Sequence, residues 1–219
     1  MPKVDAEYIC RMENILDLYA DPKPGEPVVC VDEHPYQMIS ETRQSLPAKG
    51  NKPERYDYEY KREGVCNLFV FFDFQSGWRH VDVTERRTKE DFALQLKRLV
   101  DIYYPNSDKI HVVLDNLNIH KIAVLYEVFE PEEAARIRRR LQFHYTPVHG
   151  SWLNMVEIEI GVLKGQCLDR YLSSIDIVRD EVAAWENPRN KAGTTVDWTF
   201  TSTNAREKLK RLYPAISSR

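Results

Sequence analysis

Cysteine is scarce. The four thiols, Cys10, Cys30, Cys66 and Cys167, are spread over 219 residues and never form a C-x-x-C pair. That spacing argues against a structural zinc site and predicts reduced thiols in a cytoplasmic protein. No apolar run approaches the ~20 residues that cross a bilayer. The opening Met1-Pro2-Lys3-Val4-Asp5-Ala6-Glu7 lacks the apolar segment of a signal peptide. No membrane partner is therefore expected. A marked excess of either charge is also missing, since 31 Lys and Arg face 34 Asp and Glu, for a net charge of -3. A dedicated duplex-binding module would be clearly basic. The balance suits a catalytic domain whose acids gather in one place. Internal repeats, low-complexity tracts and a clear second domain are absent too, so residues 1–219 read as one domain large enough for a substantial core.

What is present centres on residues 109–157. Lys109-Ile110-His111-Val112-Val113-Leu114-Asp115-Asn116 is an apolar run that ends on an acid. Pro27-Val28-Val29-Cys30-Val31-Asp32-Glu33 repeats the design. A buried strand ending on aspartate places that carboxylate at a sheet edge, where loops and ligands meet. Ser151-Trp152-Leu153-Asn154-Met155-Val156-Glu157 reads as a helix capped by Ser151, with Glu157 just under two turns in. Two strand-borne aspartates and one helix-borne glutamate could make a hard-oxygen site for a divalent metal.

In chain order, Ile9, Met12, Ile15, Leu16 and Tyr19 predict an amphipathic helix over 5–20. A strand follows at about 27–32, then an irregular loop over 34–55 marked by Pro47, Gly50 and Pro53. Residues 66–74 and 78–83 predict two antiparallel strands joined at Ser76-Gly77. Thr88 and Asp91 predict a capping box for a helix that stops before Pro105. After the Asp115 strand come helices at 119–128 and from Pro131, a strand at 141–146, the Glu157 helix, and helices near 174–186 and 202–212. Periodicity yields this element order and a mixed α/β class.

The ordered pieces resemble the catalytic domain of DDE (Asp-Asp-Glu) transposases of the insertion sequence 630 group, in the mariner superfamily. The likeness rests on Val31-Asp32-Glu33, Leu114-Asp115-Asn116 with His120-Lys121, and His144-Tyr145-Thr146-Pro147 leading into Ser151-Trp152-Leu153-Asn154-Met155-Val156-Glu157. It continues through Tyr58-Glu59-Tyr60, Gly77-Trp78-Arg79, Thr84-Glu85-Arg86-Arg87-Thr88 and Asp197-Trp198, so it covers nearly the whole chain. The resemblance implies an RNase H-like fold: a mixed five-stranded sheet flanked by helices. It implies Asp32, Asp115 and Glu157 as catalytic ligands for two Mg²⁺ (or Mn²⁺) ions, with Asn116, His120 and Asn154 beside them as supports or DNA contacts. The implied activity is strand cleavage at transposon ends followed by attack of the freed 3′-hydroxyl on target DNA, in a bacterial, nucleoid-associated setting. Two other readings stay open: a standalone RNase H-like nuclease without strand transfer, and an inactive relic that regulates a full-length transposase.

Several finer expectations accompany these. Glu159 lies two helical positions from Glu157, so only one of the two can point inward, and alignment favours Glu157. The 42-residue spacing from Asp115 to Glu157 exceeds the family's usual one, and the Pro131–Arg140 helix is the expected peripheral insertion. Glu33 should face away from Asp32, as a supporting or surface residue. His34 stands where relatives commonly carry lysine. His120 is balanced between a phosphate contact and a structural role. Gly150 should supply backbone freedom and Trp152 a core anchor. Arg136, Arg138, Arg139 and Arg140 form the densest basic cluster, read chiefly as a solvated face. Only 31 residues precede Asp32, too few for the helix-turn-helix region that reads transposon ends. The expected partners are therefore DNA and an end-reading region or separate subunit, with a homodimer left open. Alone, the chain should bind DNA weakly and without sequence preference.

Overall fold

The computed structural model describes residues 5–43 and 59–213. Its centre is a five-stranded sheet in the order β3-β2-β1-β4-β5. The strands are β1 (Val28–Glu41), β2 (Tyr60–Asp73), β3 (Trp78–Thr84), β4 (Ile110–Leu114) and β5 (Leu141–Tyr145). β1, β2 and β3 form an antiparallel meander, while β4 joins β1 and β5 joins β4 in parallel. The two parallel joins place the carboxyl ends of β1's inner half, β4 and β5 on one side of the sheet.

Strand alternation sends successive side chains to opposite faces. Val28 and Cys30 face one core, which α1 (Ala6–Ala20), α5 (Val156–Leu163), α6 (Ile175–Ala192) and α7 (Ser202–Lys208) cover. Val29 and Val31 face a second core under α2 (Lys89–Arg98), α3 (Leu125–Val128) and α4 (Pro131–Arg140). In α1 the buried face is Ile9, Met12, Ile15, Leu16 and Tyr19, as periodicity requires, and the Asp5 side chain caps it by accepting from the Tyr8 amide. Burying each large apolar side chain contributes about 1.5–3 kcal/mol, so this stripe suffices to dock the helix. The Thr88–Asp91 capping box forms with both reciprocal bonds.

Some elements differ from the sequence reading. Residues 34–41 are strand, not loop: β1 continues to Glu41 against the first half of β2, through a bulge at Met38/Ile39. Pro35 and the interspersed His34, Gln37, Ser40 and Glu41 dilute the apolar pattern there, so local propensity hides the strand. β4 pairs with β1 only over Val28–Cys30, which leaves β2 as the sole neighbour at Pro35, where a missing amide is tolerated. The rest of the predicted loop, 44–55, lies outside the described residues. The helix expected at 119–128 shrinks to a 3-10 turn at Ile122–Val124 and the single turn of α3. α4 is no peripheral insertion, because Ala134 and Ile137 are fully buried in the second core between β4 and β5.

The basic cluster on α4 is largely engaged in structure. Arg136 grips Asp101 through two bonds of 2.8 and 2.9 Å and also binds Glu133. Arg140 donates to the carbonyls of Val100, Tyr104 and Ser107, closing the end of the π-helical turn that follows α2. Arg138 and Arg139 alone remain on the surface, bonded to the Tyr126 hydroxyl and the Ala135 carbonyl. All four cysteines are free thiols, three of them buried. No described helix is long and apolar enough to cross a membrane.

Candidate active site

The β1–β4 register brings the two aspartates level. The last β1–β4 pair is Cys30 with Val113, and two residues further along each chain segment stand Asp32 and Asp115. Odd positions of β4 share the face of even positions of β1, and Asp115 follows directly on the end of β4. Neighbouring strands lie about 4.8 Å apart, which makes the two acids close neighbours.

Glu157 arrives by a different route from the one predicted. Ser151–Leu153 is a separate 3-10 turn, Asn154 is extended, and α5 starts at Val156 without a side-chain cap. Glu157 therefore sits in the first turn of α5, exposed, where the helix dipole favours a carboxylate. Two buried bonds fix this helix start against β1. Asn154 Nδ2 donates to the Val31 carbonyl at 2.9 Å, one residue before Asp32. Tyr19 donates its hydroxyl to the Leu153 carbonyl at 2.7 Å and lies 3.2 Å from Cys30 Sγ. The hydroxyl has one proton, so the Cys30 thiol is the donor in the second contact. Tyr19 thus staples α1, β1 and the approach to α5 together. Its isolated place on the α1 apolar stripe gave no sign of this.

The acids act on one another electrostatically. Burial, then the charges of Glu33, Asp115 and Glu157, raise the Asp32 carboxyl to about 7, although the Glu33 amide bond opposes the rise. Asp115 moves the other way, lowered by its bond to His120, the Leu117 amide and the nearby Arg87 charge. The Oδ1 atoms of both are engaged, Asp32 with the Glu33 amide and Asp115 with the Leu117 amide and His120. Each aspartate keeps an Oδ2 without a protein partner among the described residues. No three His, Cys, Asp or Glu side chains among the described residues converge tightly enough to hold one ion as they stand. The three acids therefore share a field and not a closed ligand cage.

Behind Asp115 lies a buried brace. His120 Nδ1 is 2.6 Å from Asp115 Oδ1, and its Nε2 is 2.6 Å from Glu33 Oε1. Burial disfavours charge on this imidazole, yet its bonds to Asp115 and Glu33 and their charges outweigh that and raise it to about 9. His120 is fully buried under the Phe92 ring and acts as a structural tie. Glu33 does face away from Asp32, but into this brace and not to the surface. Asn116 is likewise a tie, donating to the Thr146 carbonyl and accepting from Arg11.

The two glutamates of α5 lie on different faces, as their spacing requires. Glu159 is the buried one, with Oε1 2.6 Å from Arg79 Nε and Arg189 on its other side. Glu157 is exposed, and its charge acts on Asp32. Gly150 has no special φ; a Cβ there would meet Pro147 Cγ at 2.5 Å, while His149 takes the left-handed conformation at φ 63°. Trp152 is no core anchor, being 41% exposed and stacked on Trp198. Further along β1, His34 is held below its ordinary range by burial and by the Lys164 charge.

A mixed sheet in this order, with one aspartate on β1 and another just past the end of the adjacent β4, is the RNase H-like fold. The chain belongs to the DDE superfamily endonucleases, whose family profile matches residues 27–179. Among solved structures it is similar to a Mos1 transposase paired-end complex with left transposon end, at TM-score 0.58 and 13% identity over 86% of this chain and 58% of that one. A pre-cleavage Mos1 transpososome gives TM-score 0.55 and 14% identity over 95% of this chain and 62% of the other. The Mos1 mariner paired end complex with Mn gives 0.53 and 16%, with the same coverage. Such identities establish the shared fold, and the chain spans about three fifths of those transposases' length. No curated protein matches it.

Proposed function

We propose that this chain is the catalytic domain of a transposase, cutting DNA strands and joining 3′-hydroxyl ends to target DNA with the help of divalent metal. The observation that carries the reading is the meeting of Asp32, Asp115 and Glu157 in one electrostatic field, from three elements, on one face of the sheet. The solved proteins of this fold include complexes with a transposon end and with Mn, which supports DNA as partner and a hard cation as cofactor.

The donor set fits such a cation. Carboxylate oxygens are the preferred ligands of Mg²⁺ and Mn²⁺. The free Oδ2 atoms of Asp32 and Asp115 and the exposed Glu157 would hold two ions. Bound in this place, the ions would neutralise the scissile phosphate and acidify the attacking water or hydroxyl. The protein's own part is positional. Asn154 and Tyr19 lock α5 to β1, and the Glu33–His120 brace fixes the Asp115 carboxylate, so one oxygen stays turned outward. With the ligand oxygens deprotonated and uncompensated, the acids would repel a phosphate backbone; the cations reverse that sign.

The test is nicking of supercoiled plasmid in Mg²⁺ or Mn²⁺, with Asp115→Asn alongside. We expect metal-dependent nicking that falls to background in the variant, and equal activity in both proteins would end the reading. Pre-cut ends carrying a free 3′-hydroxyl then separate a transposase from a simple nuclease, because only the former joins them to target DNA. A helix-turn-helix region or partner subunit is the proposed source of end recognition.

A further inference from the structure

β1 does not stop at the acids. Its alternation carries His34 and Tyr36 along the same face as Asp32, about 7 Å per pair of residues. α5 runs on beside it from Glu157, through Gly161, into the π-helical turn Lys164–Leu168. Between strand and helix opens a cavity of about 320 Å³ lined by His34, Tyr36, Lys164, Gly165, Leu168 and Asp169. It continues the acid site along both of the elements that build it.

Two features mark it as built for a ligand. The first is charge. Lys164 is exposed and takes part in no ion pair among the described residues, whereas Arg136 and Arg140 are engaged in structure and Arg170 is paired with Glu181. Asp169 is the one carboxylate in the lining. The second is room. Gly161 and Gly165 follow Glu157 at successive four-residue steps, so the three lie on one side of the helix. A glycine inside a helix is costly relative to alanine. A Cβ at either position would meet nothing within 4 Å, so no packing within the described structure demands glycine there. The bare backbone leaves space for something that comes against the helix from outside.

We propose that this groove seats the phosphodiester backbone of the DNA strand running away from the three acids, with Lys164 against a phosphate and the two glycines giving it close approach. This deepens the transposase reading and rests on it. A groove with a free ammonium at its wall, opening from a phosphodiester-cutting site, meets the next phosphates of the same strand before any other ligand.

The test is fluorescence anisotropy of a labelled DNA duplex with the full chain in Ca²⁺, measured across salt concentrations. Lys164→Glu should weaken binding roughly tenfold and flatten the salt slope by about one unit, as expected for one lost phosphate contact plus a new repulsion. Gly165→Leu should weaken binding without changing the slope. Returning the positive charge from the opposite wall, His34→Lys in a Lys164→Ala background, should restore most of the affinity. Circular dichroism and melting keep misfolded variants out of the comparison. Unchanged affinity and slope in Lys164→Glu overturn the groove while leaving the catalytic reading intact. If the wild-type chain neither nicks nor binds DNA at low salt, the parent reading fails and the groove with it.

Discussion

Arg79 is the largest fully buried side chain in the described structure, and its neighbours show what it does. Its guanidinium meets Glu159, Asn190 and the Thr194 carbonyl, so β3, α5 and the end of α6 converge on one cation. Asn190 repays the contact with two bonds to the Arg79 backbone. This pair also sets the rotation of α5: with Glu159 held inward, Glu157 is left on an exposed face. Breaking a buried pair by removing one partner leaves an uncompensated charge and costs about 3–5 kcal/mol. Glu159→Leu should therefore lower the unfolding free energy, measured by urea titration, by about 3–5 kcal/mol. Arg79→Met combined with Glu159→Leu should recover a large part of it. A single variant as stable as wild type would show that the pair carries no such strain. Glu159 also illustrates what sequence could not tell. Its spacing from Glu157 dictated different faces, but not which face was buried, because the deciding partner stands 80 positions earlier on β3.

At the scale of elements, legibility tracked how local the cause was. α1 and the Thr88–Asp91 box are dictated by residues within a few positions, and both formed as read. The outer half of β1 and the true start of α5 are dictated by distant partners. β2 supplies the first, while Val31 and Tyr19 supply the second through Asn154 and Leu153. α5 itself carries a testable signature of the groove. Gly161→Ala places a methyl in open space inside a helix and should raise stability by about 1 kcal/mol in equilibrium urea unfolding. A loss of stability would mean that the residue is packed against something after all.

At the scale of the molecule, the sheet places a second polar cluster beside the first. His111 and His144 face each other at 2.9 Å on adjacent parallel strands, with Glu26 beyond the former and Asn14 of α1 beyond the latter. Burial, and then the His111 charge, depress the His144 imidazole to about 4. A folded value below the unfolded one means that folding favours the neutral ring. The stability so gained is complete above about pH 6.5 and is lost as the pH falls toward 4. The shift corresponds to roughly 3 kcal/mol across that window. His144→Gln should therefore show a shallower decline of unfolding free energy over the same range, and identical slopes would exclude this histidine as the source. The placement of Asp32 on a strand, Asp115 just past one and Glu157 on a helix was legible at once, since apolar runs ending in an acid and a helical pattern are sequence features. The Glu33–His120 brace and this histidine pair were not, because each joins residues on different strands or loops whose contact only the sheet order creates.

The bulge at Met38/Ile39 has a mechanical meaning. Beyond it, Ile39–Glu41 and Tyr60–Arg62 form a two-stranded arm, and its inner strand is the same unbroken backbone that bears Asp32. A body leaning on that arm would pull on the Asp32 carboxylate through some seven peptide units, with the bulge as the compliant joint between them.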